Sequence, residues 1–369
     1  MIKLRRPTRC VVAVALAMAF SASWTSEPAE AATLRVPAHF TTIQAAIDAA
    51  NPGDIIRVSP GSYPEQLTIG KDLKLTGSGA GSTIIRAPET LVAGAAGTSS
   101  IVDIQNGASV TMSRLTVGGP GAGNCDEGSL RAGIQVFDGA HLELSFAAVT
   151  HIHNTPIAPC GRDGQGIRIG GPPFTDSTGS ANIRYSKISA YQYTGVAVVN
   201  EGSVATISRN VVTGPDLPMS VPTSGIDVVL GATATVSYNV ISGNRCESAD
   251  LGCGPDFFTE FQYAGVSGDG VVVTRNFIYG NQVGIYAGGS AEISQNLIVG
   301  NDDFGIALQD GTFTVRNDVI RGGIGGIAVI AASADTEATL DNVNIADTSG
   351  APVQEFECCG FAATVIEVP

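Results

Sequence analysis

Five segments of the chain superpose without gaps: ATISRNVVTG, ATVSYNVISGN, VVVTRNFIYGN, AEISQNLIVGN and FTVRNDVIRGG. They set Asn210, Asn239, Asn276, Asn296 and Asp318 in one column, with Ile or Val two positions later and Gly four positions later. Between them runs a second column of Gly-Ile or Gly-Val steps at Gly133, Gly166, Gly195, Gly225, Gly265, Gly284, Gly305 and Gly326. The last three intervals, 19, 21 and 21 residues, give the basic unit; the longer ones are the same unit with loops inserted. Each unit holds short runs of alternating apolar and polar residues separated by Gly and Asn, the periodicity of a strand with one face buried. Such a unit cannot bury its apolar face alone, so successive units must stack.

The expected fold is therefore all-β: a right-handed parallel β-helix, or solenoid, in which each residue lies about 4.8 Å from its counterpart in the next coil. Asn side chains stacked at a turn hydrogen-bond along the column, which assigns Asn210, Asn239, Asn276 and Asn296 a structural role. Ahead of the repeats, Ile43, Ala46, Ile47 and Ala50 fall on one helical face, Thr41 or Thr42 can cap the start, and Asn51-Pro52-Gly53 stops it. This short helix is expected to cover the open apolar end of the solenoid, and ATVIEV to close the last coil.

Residues 1–31 read as a secretory signal: Lys3, Arg5, Arg6 and Arg9 precede the apolar run VVAVALAMAF, and Ala29-Glu30-Ala31 supplies the small-residue cleavage site. The apolar run is too short to span a bilayer, so the expectation is a secreted, periplasmic or cell-surface protein with no membrane insertion. Residues 32–369 then form one domain, monomeric, with loop insertions near 118–131, 151–165, 214–224 and 244–264. Removing the signal takes four basic and two acidic residues from totals of 20 and 34, which leaves 16 and 32, a net charge of −16. A chain this acidic should repel nucleic acid, and also polyuronates unless a cation such as calcium bridges them. Six cysteines remain after cleavage, an even number that favours disulfides in an exported chain. Cys246 with Cys253 closes one short loop, and Cys125 with Cys160 is the next pairing; Cys358 and Cys359 are adjacent, and their partners stay open. Without a CxxC pair, zinc is disfavoured.

The stretch VPAHFTTIQAAIDAANPGDIIRVSPGSYPEQLTIGKDLKLTGSGAGSTII resembles the opening of right-handed parallel β-helix proteins of the pectin-lyase-like superfamily, and the later repeats resemble the same superfamily's coils. The resemblance implies the fold over about residues 34 to 350 but no one activity, because the superfamily spans lyases, hydrolases, esterases, epimerases, tailspikes and adhesins. The motifs of its enzyme subfamilies are missing. There is no GRPW-type or DFIFG-type element of the pectin methylesterases, no DPHD tetrad of the mannuronan epimerases, and no RxPxxR of the pectate lyases. Of the polygalacturonase set only Asp302-Asp303 and Arg168-Ile169 remain, in the wrong chain order.

Candidate functional residues follow from the coil alignment. Asp302 and Asp303 fall in the turn that Gln282 and Val283 fill one coil earlier, so they read as turn residues first and weak calcium ligands second. The outward position after each Gly-Ile step aligns Gln135, Arg168, Ala197, Asp227, Ser267, Tyr286, Ala307 and Ala328. Arg168 and Asp227, two strand spacings or about 9.6 Å apart, are the candidate catalytic pair. Gln135 and Tyr286, with Phe257, Phe258 and Tyr263 of the last inserted loop, are candidate sugar contacts. His151 and His153 share a strand face and would need a third partner to hold a metal. The expected function is binding of an extracellular, acidic polysaccharide along this face. If it is an enzyme, a lyase acting by β-elimination is favoured over a glycoside hydrolase, with calcium neutralising the uronate. The alternative is a non-catalytic solenoid whose loops bind a protein partner.

Overall fold

The computed structural model describes residues 30–94, 99–122, 128–155, 163–171, 176–216, 223–245 and 263–368. The export signal and the pairings Cys246–Cys253 and Cys125–Cys160 lie outside the described residues. Contacts divide the chain into Met1–Ala31 and Ala32–Pro369, and the fold belongs to the second unit. Its strands pair in parallel throughout and form three faces. The first carries the Gly-Ile steps, as in Gln165–Ile169, Thr194–Val199 and Ser224–Val229. The second holds strands such as Ile55–Val58, Leu73–Thr76, Ala140–Ser145 and Val204–Ser208. The third runs from Gly61–Pro64 to Asn344–Ala346. In three late coils one strand bends from the first face onto the second: Ala264–Thr274, Val283–Ser294 and Phe304–Arg316.

Alternation along each strand fills the bore. Ile167, Val196, Ile226, Val266, Ile285 and Ile306 point inward from the first face, and Ile188, Val212, Ile241, Ile278 and Ile298 from the third; all are fully buried. Each such side chain contributes roughly 1.5 to 3 kcal/mol. The Gly-Ile glycines are set by sterics where faces meet: a Cβ on Gly195 would come within 2.5 Å of the Gly225 carbonyl oxygen and 2.8 Å of the Tyr191 ring. Asn210, Asn239, Asn276, Asn296 and Asp318 are buried and form a continuous ladder, in which each Oδ1 accepts from the backbone N–H and the Nδ2 of the preceding member at 2.7 to 3.1 Å. Sequence reasoning missed a second ladder, Asn244, Asn281 and Asn301, joined the same way at 2.9 to 3.1 Å. Tyr191 caps it by donating its hydroxyl to Asn244 Oδ1 at 2.6 Å.

The helix spans Ile43–Ala49 and buries Ile43, Ala46 and Ile47 on the end of the bore. Thr42 is its N-cap, its hydroxyl accepting from the Ala45 N–H at 3.2 Å. Glu65, from the next coil, accepts the N–H groups of Ile43 and Gln44, both at 3.0 Å, so two first-turn donors left over by helix geometry are satisfied. At the far end Ala363–Val368 adds a last strand to the second face, with Ile366 and Val368 left exposed.

The sulfur atoms of Cys358 and Cys359 lie side by side. One expectation is corrected. Asp302 and Asp303 do not replace Gln282 and Val283: Val283 pairs with Phe304, so this turn is one residue longer than its predecessor.

Candidate functional site

The register stacks Gln135, Arg168, Ala197, Asp227, Ser267, Tyr286, Ala307 and Ala328 along the first face. The expectation that this column is open to solvent fails over most of its length. Gln135, Arg168, Ala197, Ala307 and Ala328 are buried. In the late coils a second apolar cluster outside the bore supplies the cover, with Ala264, Val283, Phe304 and Ile330 packed beside Ala307 and Ala328. Arg168 is 2% exposed, and its guanidinium donates to the Gly171 carbonyl at 2.6 and 3.1 Å and to Gln165 Oε1 at 3.1 Å. A cation held this way positions the strand end and does not present itself to a sugar.

The column opens at Asp227 and Tyr286. A cleft of about 370 Å³ lies here, lined by Tyr193, Ser224, Asp227, Ser267, Asp269 and Tyr286, with Val229 and Leu230 as apolar wall. Ser267 donates its hydroxyl to Asp227 Oδ1 at 2.7 Å. Asp269 sits two residues beyond Ser267, on the bend of the strand Ala264–Thr274, where the register shifts between Asp269 and Val271. Across one ladder step and two residues along the strand, the Asp227 and Asp269 Cα atoms are about 8 Å apart. Gly288 makes the berth for Asp269: a Cβ there would run into the carboxyl Oδ1. Crowding strips water from Asp269 and lifts its carboxyl above the ordinary carboxylate range. Tyr286 donates to Gln309 Oε1 at 2.8 Å. Its hydroxyl is pushed up to about 12, by burial first and then by the charges of Asp269 and Asp310, so it stays a proton donor. Asp310 moves the opposite way: hydrogen bonds from Ser333, Gln309 and Ala332 outweigh desolvation and hold its carboxyl low.

Other sequence candidates are placed elsewhere. Tyr263 is buried, 4% exposed, and does not line the cleft; Phe257 and Phe258 lie outside the described residues. Tyr193, at the position before the Gly-Ile strand, is the aromatic wall that the sequence reading passed over. His151 and His153 do not share a strand face. His151 takes a left-handed conformation with its Nε2 3.6 Å from Asp216, while His153 is buried with Nδ1 3.2 Å from the Asn154 carbonyl oxygen. Asp302 pairs with Arg245 at 3.1 Å, and Asp303 accepts from Gln282 Nε2 at 3.0 Å. Among the described residues no three His, Cys, Asp or Glu side chains gather, and both acids are engaged by these neighbours.

A family model described as "Right handed beta helix region" matches residues 174–345. This chain folds as a right-handed parallel β-helix. The β-helix superposes on the catalytic domain of Agl-KA with a TM-score of 0.54 and 14% identity, over 92% of this chain and 69% of that one. It superposes on the A-module of the Azotobacter vinelandii mannuronan C-5 epimerase AlgE4 with a TM-score of 0.50 and 17% identity, over 88% and 94%. An alginate lyase from Paenibacillus sp. is also similar, at a TM-score of 0.48 and 12% identity, over 90% and 99%. No curated protein matches the β-helix by sequence. At these identities the likeness concerns the fold.

Proposed function

We propose that this β-helix is an exported protein that binds a polysaccharide along its first face and hydrolyses it at the Asp227–Asp269 cleft. The observation that carries the reading is the pair of carboxylates facing one sugar-sized cleft, one of them lifted by desolvation and the other held by a serine hydroxyl. The comparison with a mannuronan epimerase module supports a glycan as ligand for this kind of scaffold.

Asp269, protonated, gives its proton to the glycosidic oxygen as the bond to the anomeric carbon breaks. Asp227, oriented by Ser267, takes a proton from the water whose oxygen bonds to that carbon. Tyr193 and Tyr286 offer ring faces and a hydroxyl to the sugar. Elimination at Arg168, favoured by the sequence alone, gives way because its guanidinium is buried and bound to Gly171. Two acids in the cleft also favour a neutral sugar at the point of cleavage.

The test is a panel of neutral and acidic glycans with two readouts: new reducing ends, and the ultraviolet absorbance of unsaturated uronates. The expected result is reducing ends without absorbance, falling by about 10²- to 10⁴-fold in Asp269→Asn. Asp227→Asn should fall similarly, and the rate should drop on the alkaline side as Asp269 ionises. Unchanged turnover in both variants, or unsaturated products, would refute hydrolysis at this cleft.

A further inference from the structure

A second cleft, of about 650 Å³, lies on the second face at the N-terminal end and is lined by Arg35, Arg57, Lys74 and Arg114, with Ser59, Thr76 and Ser78 between them. No acid lines it, although residues 32–369 carry twice as many acids as bases. Arg35 lies directly opposite Arg57 in the parallel ladder, and Lys74 follows one coil on, opposite Ile55. Like charges set against one another in this way cost stability. Elsewhere on the solenoid Arg131, Arg184, Arg245, Arg316 and Arg321 each meet a carboxylate at 3.0 to 3.8 Å. Among the described residues none of the four cations of the cleft has such a partner.

Arg114 also begins a ridge. It stands in a left-handed turn, and the equivalent turns of the next five coils carry Phe146, Tyr185, Arg209, Tyr238 and Arg275, all at φ between 51° and 57°, before Gln295 takes the place. Asn or Gly takes this conformation most readily, and Asn317 and Asn342 fill the turn in the last coils. Arg, Phe and Tyr hold it against that preference. Phe146 and Tyr185 stack with ring centroids 5.2 Å apart, and Arg209 lies 5.8 Å from the Tyr185 ring and 5.0 Å from that of Tyr238. Phe146 is 60% exposed, Tyr185 48% and Tyr238 46%. Five coil steps make the ridge about 24 Å long, with cations and ring edges repeating at the strand spacing, of the order of one sugar residue.

We infer that the cleft and its ridge form an anchoring site for an acidic polysaccharide, whose carboxylates pair with Arg35, Arg57, Lys74 and Arg114 while further sugar rings lie along Phe146, Tyr185 and Tyr238. The site is separate from the Asp227–Asp269 cleft, on another face, and does not depend on what that cleft does. It also reverses, locally, the repulsion that the overall charge would impose on a polyuronate.

The experiment measures binding of the full chain to a polyuronate, a neutral glucan and single-stranded DNA by titration calorimetry, with Arg57→Gln/Lys74→Gln, Tyr185→Ala/Tyr238→Ala and Arg321→Gln variants. Circular dichroism spectra confirm that each variant is folded. The polyuronate should bind in preference to both other polymers and weaken about tenfold or more between about 50 and about 200 mM salt. The Arg57/Lys74 variant should lose at least tenfold in affinity, the tyrosine variant several-fold, and Arg321→Gln, a cation on the third face, nothing. No polyuronate binding, affinity unchanged in the Arg57/Lys74 variant, or tighter binding of DNA would each overturn the inference. Failure of hydrolysis at the first-face cleft leaves these readouts unaffected.

Discussion

Replacing Asp318 by asparagine should stabilise the solenoid at neutral pH and leave it nearly unchanged in mild acid. Asp318 is the last member of the first ladder and fully buried. Its Oδ1 accepts from the Asn296 N–H at 2.7 Å and from Asn296 Nδ2 at 2.9 Å, while its buried Oδ2 meets no side-chain donor. In every upstream member the corresponding atom is an Nδ2 that donates to a carbonyl one coil back: Asn210 to Ile183, Asn239 to Ile207, Asn276 to Val236 and Asn296 to Val273. By register the carbonyl waiting for residue 318 is that of Ile293, and a carboxylate oxygen cannot donate to it. Burial accordingly lifts the Asp318 carboxyl from 3.8 to about 6, against the lowering effect of its bonds from Asn296 and the Arg316 backbone. At 1.36 kcal/mol for each tenfold change, this corresponds to about 3 kcal/mol. Because the folded-state value is the higher one, stability is fully present below the unfolded value near 3.8 and is lost as pH rises through about 6. An asparagine side chain at this position has no charge to bury and restores the missing donor. Urea unfolding followed by circular dichroism should show Asp318→Asn more stable by up to about 3 kcal/mol at pH 7.5, with the gain shrinking steadily towards pH 4. A gain independent of pH, or destabilisation at pH 7.5, would refute the reasoning.

Mid-ladder, Asn276→Ala should cost about 3 kcal/mol or more in the same unfolding experiment, because it strips the Asn239 N–H and Nδ2 of their acceptor and the Val236 carbonyl of its donor in a buried column. Gly288→Ala should disable the proposed hydrolytic site without touching either carboxylate, since its methyl group occupies the space of Asp269 Oδ1. Turnover should fall at least tenfold while Asp227→Asn in the same background removes little more, and wild-type turnover in Gly288→Ala would show that Asp269 does not act from this position.

The repeat architecture could be read from the chain because each coil is registered by residues whose physics is local: a Gly that no Cβ can replace, an Asn that bonds to its copy, an Ile that fills the bore. The second ladder was equally open to view, since Asn244, Asn281 and Asn301 each follow the repeat glycine in SGN, YGN and VGN; only the first Asn of each repeat was followed. Asp269 was hidden for a different reason. Counting alternate residues from the Gly-Ile step stops at Ser267, and Gly268, at φ 140°, begins the bend that swings the strand onto the next face. Asp269 still keeps the register, opposite Gly288, but no neighbouring coil puts an acid at this position, so the repeat gives it no signature. The column after the Gly-Ile step could be aligned from sequence, but not the cover over it. That cover comes from packing across coils, Phe304 against Phe356 at 6.1 Å for example, between residues far apart in the chain. The cleft cations were likewise invisible to a reading of net charge, which averages over the surface that the fold sorts.

The first ladder also has a sense of direction. Each Asn gives its N–H and Nδ2 to the Oδ1 of the next coil and takes on its own Oδ1 those of the coil behind, so interior members are interchangeable and the two ends are not. At one end Ser186 gives its N–H to Asn210 Oδ1 and takes the Ala147 N–H on a hydroxyl instead of an amide, and at the other Asp318 receives from Asn296. A duplicated coil spliced between Asn276 and Asn296 would meet a matching partner above and below, whereas the same coil appended beyond Asp318 would find Val343 and no amide to receive it. The molecule can therefore lengthen from within, by whole coils of about 4.8 Å each, and the reach of any glycan track along it becomes a matter of counting copies.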